Sequence, residues 1–221
     1  MSEQPPPFVA DFNKTVKSVE NLLSIARAGE LQREALMALD ATLASVGNAK
    51  TAAVARGEED YANLLLGCEC VAAALVSELK MWLLLKEEKP DEAWNELVNA
   101  QMASVDAVRA HRGFAHLEQH VHRLEATEKI VFPPQVFMSS GMIVGRQECS
   151  ICGSDYDDCD HLIGRPYMGR FCCIIARDIS LDHVAIVKEP ADKRCRVERF
   201  NVEGGVRNRM TWRIERSNAD A

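Results

Sequence analysis

The sequence predicts an α+β protein: an N-terminal antiparallel helical bundle followed by a small β-rich domain. Three observations carry this. Apolar residues recur at steps of three and four through the first half of the chain. At Ile130 the texture changes to prolines, glycines and short β-prone runs. Chemistry-bearing cysteines gather only after that change. The 221 residues, 47% hydrophobic and 27% charged, have ordinary globular composition, which excludes wholesale disorder.

Residues 1–7 (MSEQPPP) are polar and proline-rich and are expected to be a flexible tail. Residues 8–129 form the expected helical domain. Its first helix carries Phe12, Val16, Val19, Leu23 and Ala26, with Gly29 in place as a left-handed C-cap. A second helix carries Leu31, Ala35, Leu39, Leu43 and Val46, and TAAVA can extend it weakly toward Arg56. The third is apolar on most of its girth, through Leu65, Cys68, Ala72, Leu75, Leu79, Trp82 and Leu83, and so belongs mid-bundle. Pro90 opens the fourth, followed by Asp91 and Glu92 at the positive end of the dipole. Its expected buried face is Trp94, Leu97, Val98, Met102 and Val105. Past Gly113, a fifth helix carries Phe114, Leu117, Val121 and Leu124. Short breaks imply antiparallel neighbours.

Residues 130–148, IVFPPQVFMSSGMIVGRQE, read as a linker or edge segment. Residues 149–221 form the expected β-rich domain. FCCIIA and HVAIV are short strands, and Gly204-Gly205 is a two-residue hairpin turn between RCRVERFNV and VRNRMTWRI. Met210, Trp212 and Ile214 alternate along one strand face.

CSICGSDYDDCDH spans Cys149 to His161. Cys149 and Cys152 are spaced so that one tight turn brings both thiolates to one ion, and Gly153 permits that turn. Cys159 and His161 complete four ligands only if DCDH curls, since alternate residues of an extended strand lie about 6.6 Å apart. Cys172 competes for the fourth place. Four thiolate and imidazole ligands close a tetrahedron, so the expected cofactor is a structural Zn2+ and no catalytic residue is assigned. The aspartates between the ligands read as a solvated loop. Cys68 and Cys70 read as core packing, and His116 and His120 as part of a polar helix face.

The net charge of -7 argues against non-specific nucleic-acid binding by the whole chain. Charge is uneven: residues 162–221 carry 12 Lys/Arg against 8 Asp/Glu, the preceding residues 14 against 25. Arg194, Arg196, Arg199, Arg207, Arg209 and Arg213 surround the expected hairpin and are candidate contacts for an anionic partner. No apolar run is expected to cross a membrane, because VAAALVSELKMWLLL is interrupted by Glu78 and Lys80. The N-terminus lacks the pattern of a secretory signal, so the expected location is cytoplasmic.

The pattern CSICG, Cys159-x-His161-x-x-Gly164, Tyr167-x-Gly169-x-x-Cys172 and Pro190-Ala191 resembles a C-terminal module of uncharacterised bacterial and phage proteins. The likeness covers roughly residues 131–200. It implies a zinc-binding module in a prokaryotic protein, sometimes attached to phage maturation or capsid-related proteins, and brings no catalytic residue with it.

The expected function is a non-catalytic interaction or adaptor protein, an accessory or regulatory subunit whose partner is another protein. The alternatives are a nucleic-acid-binding regulator using the arginine-rich hairpin and, with little support, a hydrolase or redox enzyme.

Overall fold

The structure, a computed structural model, describes residues 7–215. Among them are five α-helices: α1 (Pro7–Glu20), α2 (Gly29–Ala55), α3 (Glu59–Lys86), α4 (Pro90–Ala110) and α5 (Glu118–Val131). Seven strands follow: β1 (Phe137–Cys149), β2 (Pro166–Tyr167), β3 (Arg170–Phe171), β4 (Ile174–Val187), β5 (Arg199–Val202), β6 (Gly205–Asn208) and β7 (Ile214–Glu215). The α+β class is as the periodicities predict. The expected tail falls outside the described residues except for Pro7, which opens α1 at a favoured first-turn position.

Helix α3 is the spine. Leu65, Cys68, Ala72, Leu75 and Leu79 are buried among α1, α2 and the Phe114 turn. Gly67 lets Phe114 lie directly on the helix, since a Cβ there would come within 2.0 Å of the ring. By length and composition α3 could cross a membrane, contrary to expectation, but 67% of its most apolar window is buried against the rest of the protein. Glu78 does not break it, because Arg123 of α5 donates to both carboxylate oxygens at 2.6 and 2.7 Å. His120 Nε2 lies 3.4 Å from the same carboxylate. Burial, aided by Arg123, lowers the His120 pKa against the pull of Glu78 and Glu20.

Several boundaries differ from expectation for local reasons. Helix α1 stops at Glu20, and Gly29 starts α2 instead of capping α1. The chain between is pinned by Gln32, whose Nε2 donates to the carbonyls of Leu22 and Ser24 at 2.8 and 3.0 Å. Helix α2 runs unbroken through Gly47 to Ala55. In α4, Met102 and Val105 are exposed while Gln101 and Ser104 are buried. Residues 112–117 form a 3-10 turn, so His116 and His120 do not share one regular helix.

The larger corrections are in the second half. Of the two readings of residues 130–148, linker or edge segment, the structure supports the edge segment. Val131 ends α5, the prolines turn the chain, and from Phe137 it forms a 13-residue strand. β1 pairs antiparallel with β4, from Phe137 opposite Val187 to Cys149 opposite Ile174. FCCIIA and HVAIV contribute to this one long β4. The glycines that suggested a break fit a ribbon: Gly141 lies opposite His183, and its missing Cβ leaves room for that ring. The β5–β6 turn is Glu203-Gly204, one residue earlier than expected, with Val202 opposite Gly205. Met210 is buried, but Trp212 has φ +59 in a turn and is exposed, so Met210, Trp212 and Ile214 share no strand face.

A second core cluster joins the halves. Met81, Trp82, Trp94, Leu97, Leu124 and Phe132 pack with Met210, and Phe137 lies against them. Trp94 stands edge-on to Phe132 at 5.4 Å and donates from Nε1 to Lys193 O at 3.0 Å. Asp91 accepts from Arg196 Nη2 at 2.6 Å and Asn208 Nδ2 at 2.7 Å. Replacing Asp91 by alanine leaves the buried Arg196 guanidinium without its main counter-charge. The expected cost is about 3 kcal/mol, read from urea unfolding, with faster amide exchange in β5 and β6 than in α3.

The His120 shift sets a sign. The folded state keeps His120 neutral to a lower pH than the unfolded chain does, so this contribution is present above about pH 6.5 and is lost as pH falls. His120→Gln is expected to flatten the decline in urea midpoint between about pH 7.5 and about pH 5. An unchanged slope would assign the decline to other groups.

Candidate metal centre

The cluster sits where β1 ends and before β4 begins. Cys149 is the last residue of β1, and the chain turns at once: Cys149 N donates to Ser154 O at 2.9 Å and Gly153 N to Cys149 O at 2.8 Å. Gly153 holds φ +75, a conformation that would strain a residue with a Cβ. The turn directs Ile151 N at Cys149 Sγ, 3.4 Å away. Ser150 N bonds Cys173 O at 2.9 Å, and Cys173 N bonds Ser150 Oγ at 2.9 Å, which locks the start of β4 beside the turn.

DCDH does curl. Asp155 caps a 3-10 turn at Tyr156–Asp158 by accepting from Asp157 N at 3.2 Å, and the chain then doubles back. Two tyrosines hold the returning loop. Leu162 N donates to Tyr167 Oη at 3.0 Å and Ile163 N to Tyr156 Oη at 3.3 Å. The Tyr167 ring stands edge-on to His161 at 4.7 Å. The whole segment is tied to the helices through Gly169 N, which donates to Asn63 Oδ1 at 2.8 Å, and through Arg109 over the Phe171 ring at 5.7 Å.

One ligand atom from each of Cys149, Cys152, Cys159 and His161 lies within 4.8 Å of the other three. This is the set expected from the sequence, and it can hold a metal ion. Cys172 Sγ lies 3.8 Å from Cys149 Sγ but outside the group of four. His161 Nδ1 is buried and has no hydrogen-bond partner, which suits a nitrogen whose partner is an ion.

The thiols are electrostatically linked. Burial raises the Cys149 pKa, but donation from the Cys152 and Ile151 amides and from neighbouring thiols outweighs it and brings it to about 7. Cys152 is lowered first by the Ser154 amide. Cys159 is pushed up to about 11 by burial, with the Cys149 thiol adding to the rise. Burial and Cys149 likewise raise Cys172. One thiolate forms readily and suppresses the next, and a divalent cation is what allows three to ionise together.

Five of the six candidate arginines are separately engaged. Arg194 donates to Asp192 and to Asn99 Oδ1. Arg196 is buried against Asp91 and Trp94, so it anchors the fold and is not available to an anionic partner. Arg199 pairs with Glu215 at 3.3 Å, Arg207 lies over Trp212, and Arg209 donates to Pro134 O. Arg213 is exposed. Cys68 and Cys70 lie within α3, and burial pushes each thiol up to about 12. The loop aspartates 155, 157, 158 and 160 are exposed. The positioning roles of Tyr156, Tyr167 and Asn63 went unread in the sequence. Tyr167 stands between Gly164 and Gly169, two bends that point to a packed loop.

These features define an α+β protein with a Cys3His cluster closing the gap between two strands of a ribbon. No family model, no curated protein and no solved structure matches the chain. The likeness of its CSICG segment to a bacterial and phage module therefore stays a likeness.

Cys159→Ser and His161→Ala are each expected to lower metal affinity by at least about tenfold, whereas Cys172→Ser keeps the stoichiometry. Elemental analysis after dialysis against a competing chelator checks both. Loss of metal from the Cys172 variant alone would move that residue into the ligand set.

Proposed function

We propose that this chain is a non-catalytic interaction protein whose C-terminal half is held in shape by a structural zinc ion. The convergence of Cys149, Cys152, Cys159 and His161 carries this reading. Three thiolates and one imidazole suit zinc over hard cations such as Mg2+ and Ca2+, which take oxygen ligands. A catalytic zinc needs three protein ligands and an open position, and four ligands close the tetrahedron.

The location of the cluster supports a mechanical role. It joins the end of β1 to the start of β4 and rests on α3 and α4 through Asn63 and Arg109. The engagement of Arg194, Arg196, Arg199 and Arg207 within the fold weakens the nucleic-acid alternative. Eight free cysteines fit a reducing compartment, and a cytoplasmic location belongs to this reading. An accessory or regulatory role in a prokaryotic or phage system rests on the CSICG likeness alone.

Purified protein is expected to carry about one zinc per chain and, with cobalt substituted, to show the visible absorption of a tetrahedral thiolate site. A gel-shift series at low salt is expected to show no retardation of DNA or RNA. Retardation that weakens steeply with added salt would favour the nucleic-acid reading. Partner capture with the wild-type and Cys149→Ser chains then tests the interaction role. It fails if no stoichiometric partner is recovered, or if capture persists once the C-terminal half has lost its metal.

A further inference from the structure

The β1–β4 ribbon has one apolar face that nothing among the described residues covers. Residues directly opposite share a face, and faces alternate along each strand. The register puts Met138 with Ile186, Ser140 with Val184, Met142 with Leu181 and Val144 with Ile179 on one side. The other side carries Ser139, Gly141, His183, Ser180 and Asp178, with Ile143 its one exposed large apolar residue.

The bulge makes this face continuous. In β4 the apolar residues change parity, from Ile179 and Leu181 to Val184 and Ile186. The register shift between Gly141 and Met142 leaves Asp182 as the extra residue and returns all four to one side. A sequence change of phase matched by a backbone bulge is the pattern of a face meant to be buried. Yet Ile186 is 76% exposed, Leu181 65%, Val184 60% and Met142 54%. A two-stranded ribbon is at best marginal alone in water and gains stability when a further layer covers its apolar face.

We propose that the occupant is a second copy of this chain, packed face to face through the same stripe about a twofold axis near Gly141. The stripe fits itself. Such an axis puts Ser140 against the partner's Met142, small against large. It also puts the Met138–Ile186 rank against the rank of Val144 and Ile179 in the partner. Arg146, Arg177 and Glu148 fall beyond the stripe, at the rim where charges stay solvated. From the exposures of its side chains the stripe offers on the order of 600 Å² per copy, the upper end for the largest apolar patch on a monomer. Covered completely and doubled across the axis it reaches about 1,200 Å², the lower bound of a specific interface. The inference goes beyond the interaction reading, which names no surface, and it stands without it.

Light scattering on the metal-loaded full chain across the micromolar range is expected to give twice the chain mass, falling toward the chain mass on dilution. Leu181→Lys and Met142→Lys, singly and together, are expected to raise the dimer dissociation constant at least about 100-fold. Both side chains are exposed in the single chain, so helical content and metal stoichiometry should persist and report that each variant folds. A wild-type chain that stays monomeric throughout overturns the proposal, including one that instead binds lipid vesicles or a different protein. So does a dimer that survives both lysines, because it must use another face.

Discussion

Arg196 has its guanidinium out of water, and burying that charge is tolerable only where its donors and its charge are met. Nη2 is met by Asp91 at 2.6 Å, Nη1 by Gln135 at 3.4 Å, and the flat face lies 5.9 Å from the Trp94 ring centre, while Nε has no partner. Asp91 and Trp94 belong to the first turns of α4, Gln135 to the turn after α5, and Arg196 to the chain that returns after β4. One buried ion pair thus fixes three parts of the molecule together. Asn208 joins from β6 through the second oxygen of Asp91. Phe137 then begins β1 against the same tryptophan, at 6.2 Å between rings.

From that anchor the ribbon runs outward, and the chain turns back through the Cys3His cluster. Chain 195–197 supports only the base of β1, through Met138 N to Cys195 O and Val197 N to Val136 O. At the other end the support comes from Ser150, Cys173 and the loop around Tyr167. The Cys3His group lies at this far end, outside both hydrophobic core clusters. Residues 150–173 between the two strands belong to neither hydrophobic core cluster.

The helices were legible because their periodicity is dense: α3 shows apolar residues at nearly every inward position, and Pro90 marks the start of α4. The candidate cluster was legible because Cys149, Cys152 and Gly153 carry a backbone requirement in their spacing. What stayed hidden depends on partners distant in sequence. Glycines and serines in MSSGMIVG read as breakers, because nothing local says that Gly141 will lie beside His183. The arginines read as one basic patch, because their counter-charges, Asp91 and Glu215 among them, come from other elements. Gly204-Gly205 predicted the right hairpin with the turn displaced by one residue, since only cross-strand pairing decides which glycine is in the strand.

β1 and β4 form a hairpin, but residues 150–173 stand where a two-residue turn would stand. A tight turn brings strand ends together in microseconds and sets which residues face each other. A loop of about two dozen residues does neither unaided, and its closure entropy falls on the first cross-strand contacts. An ion held by Cys149 and His161 would close the first half of this loop and leave the 12 residues 162–173 before β4. With an ion bound there, the speed at which this arm zips, and the choice between alignments that differ by one residue, would depend on free metal concentration as well as on sequence.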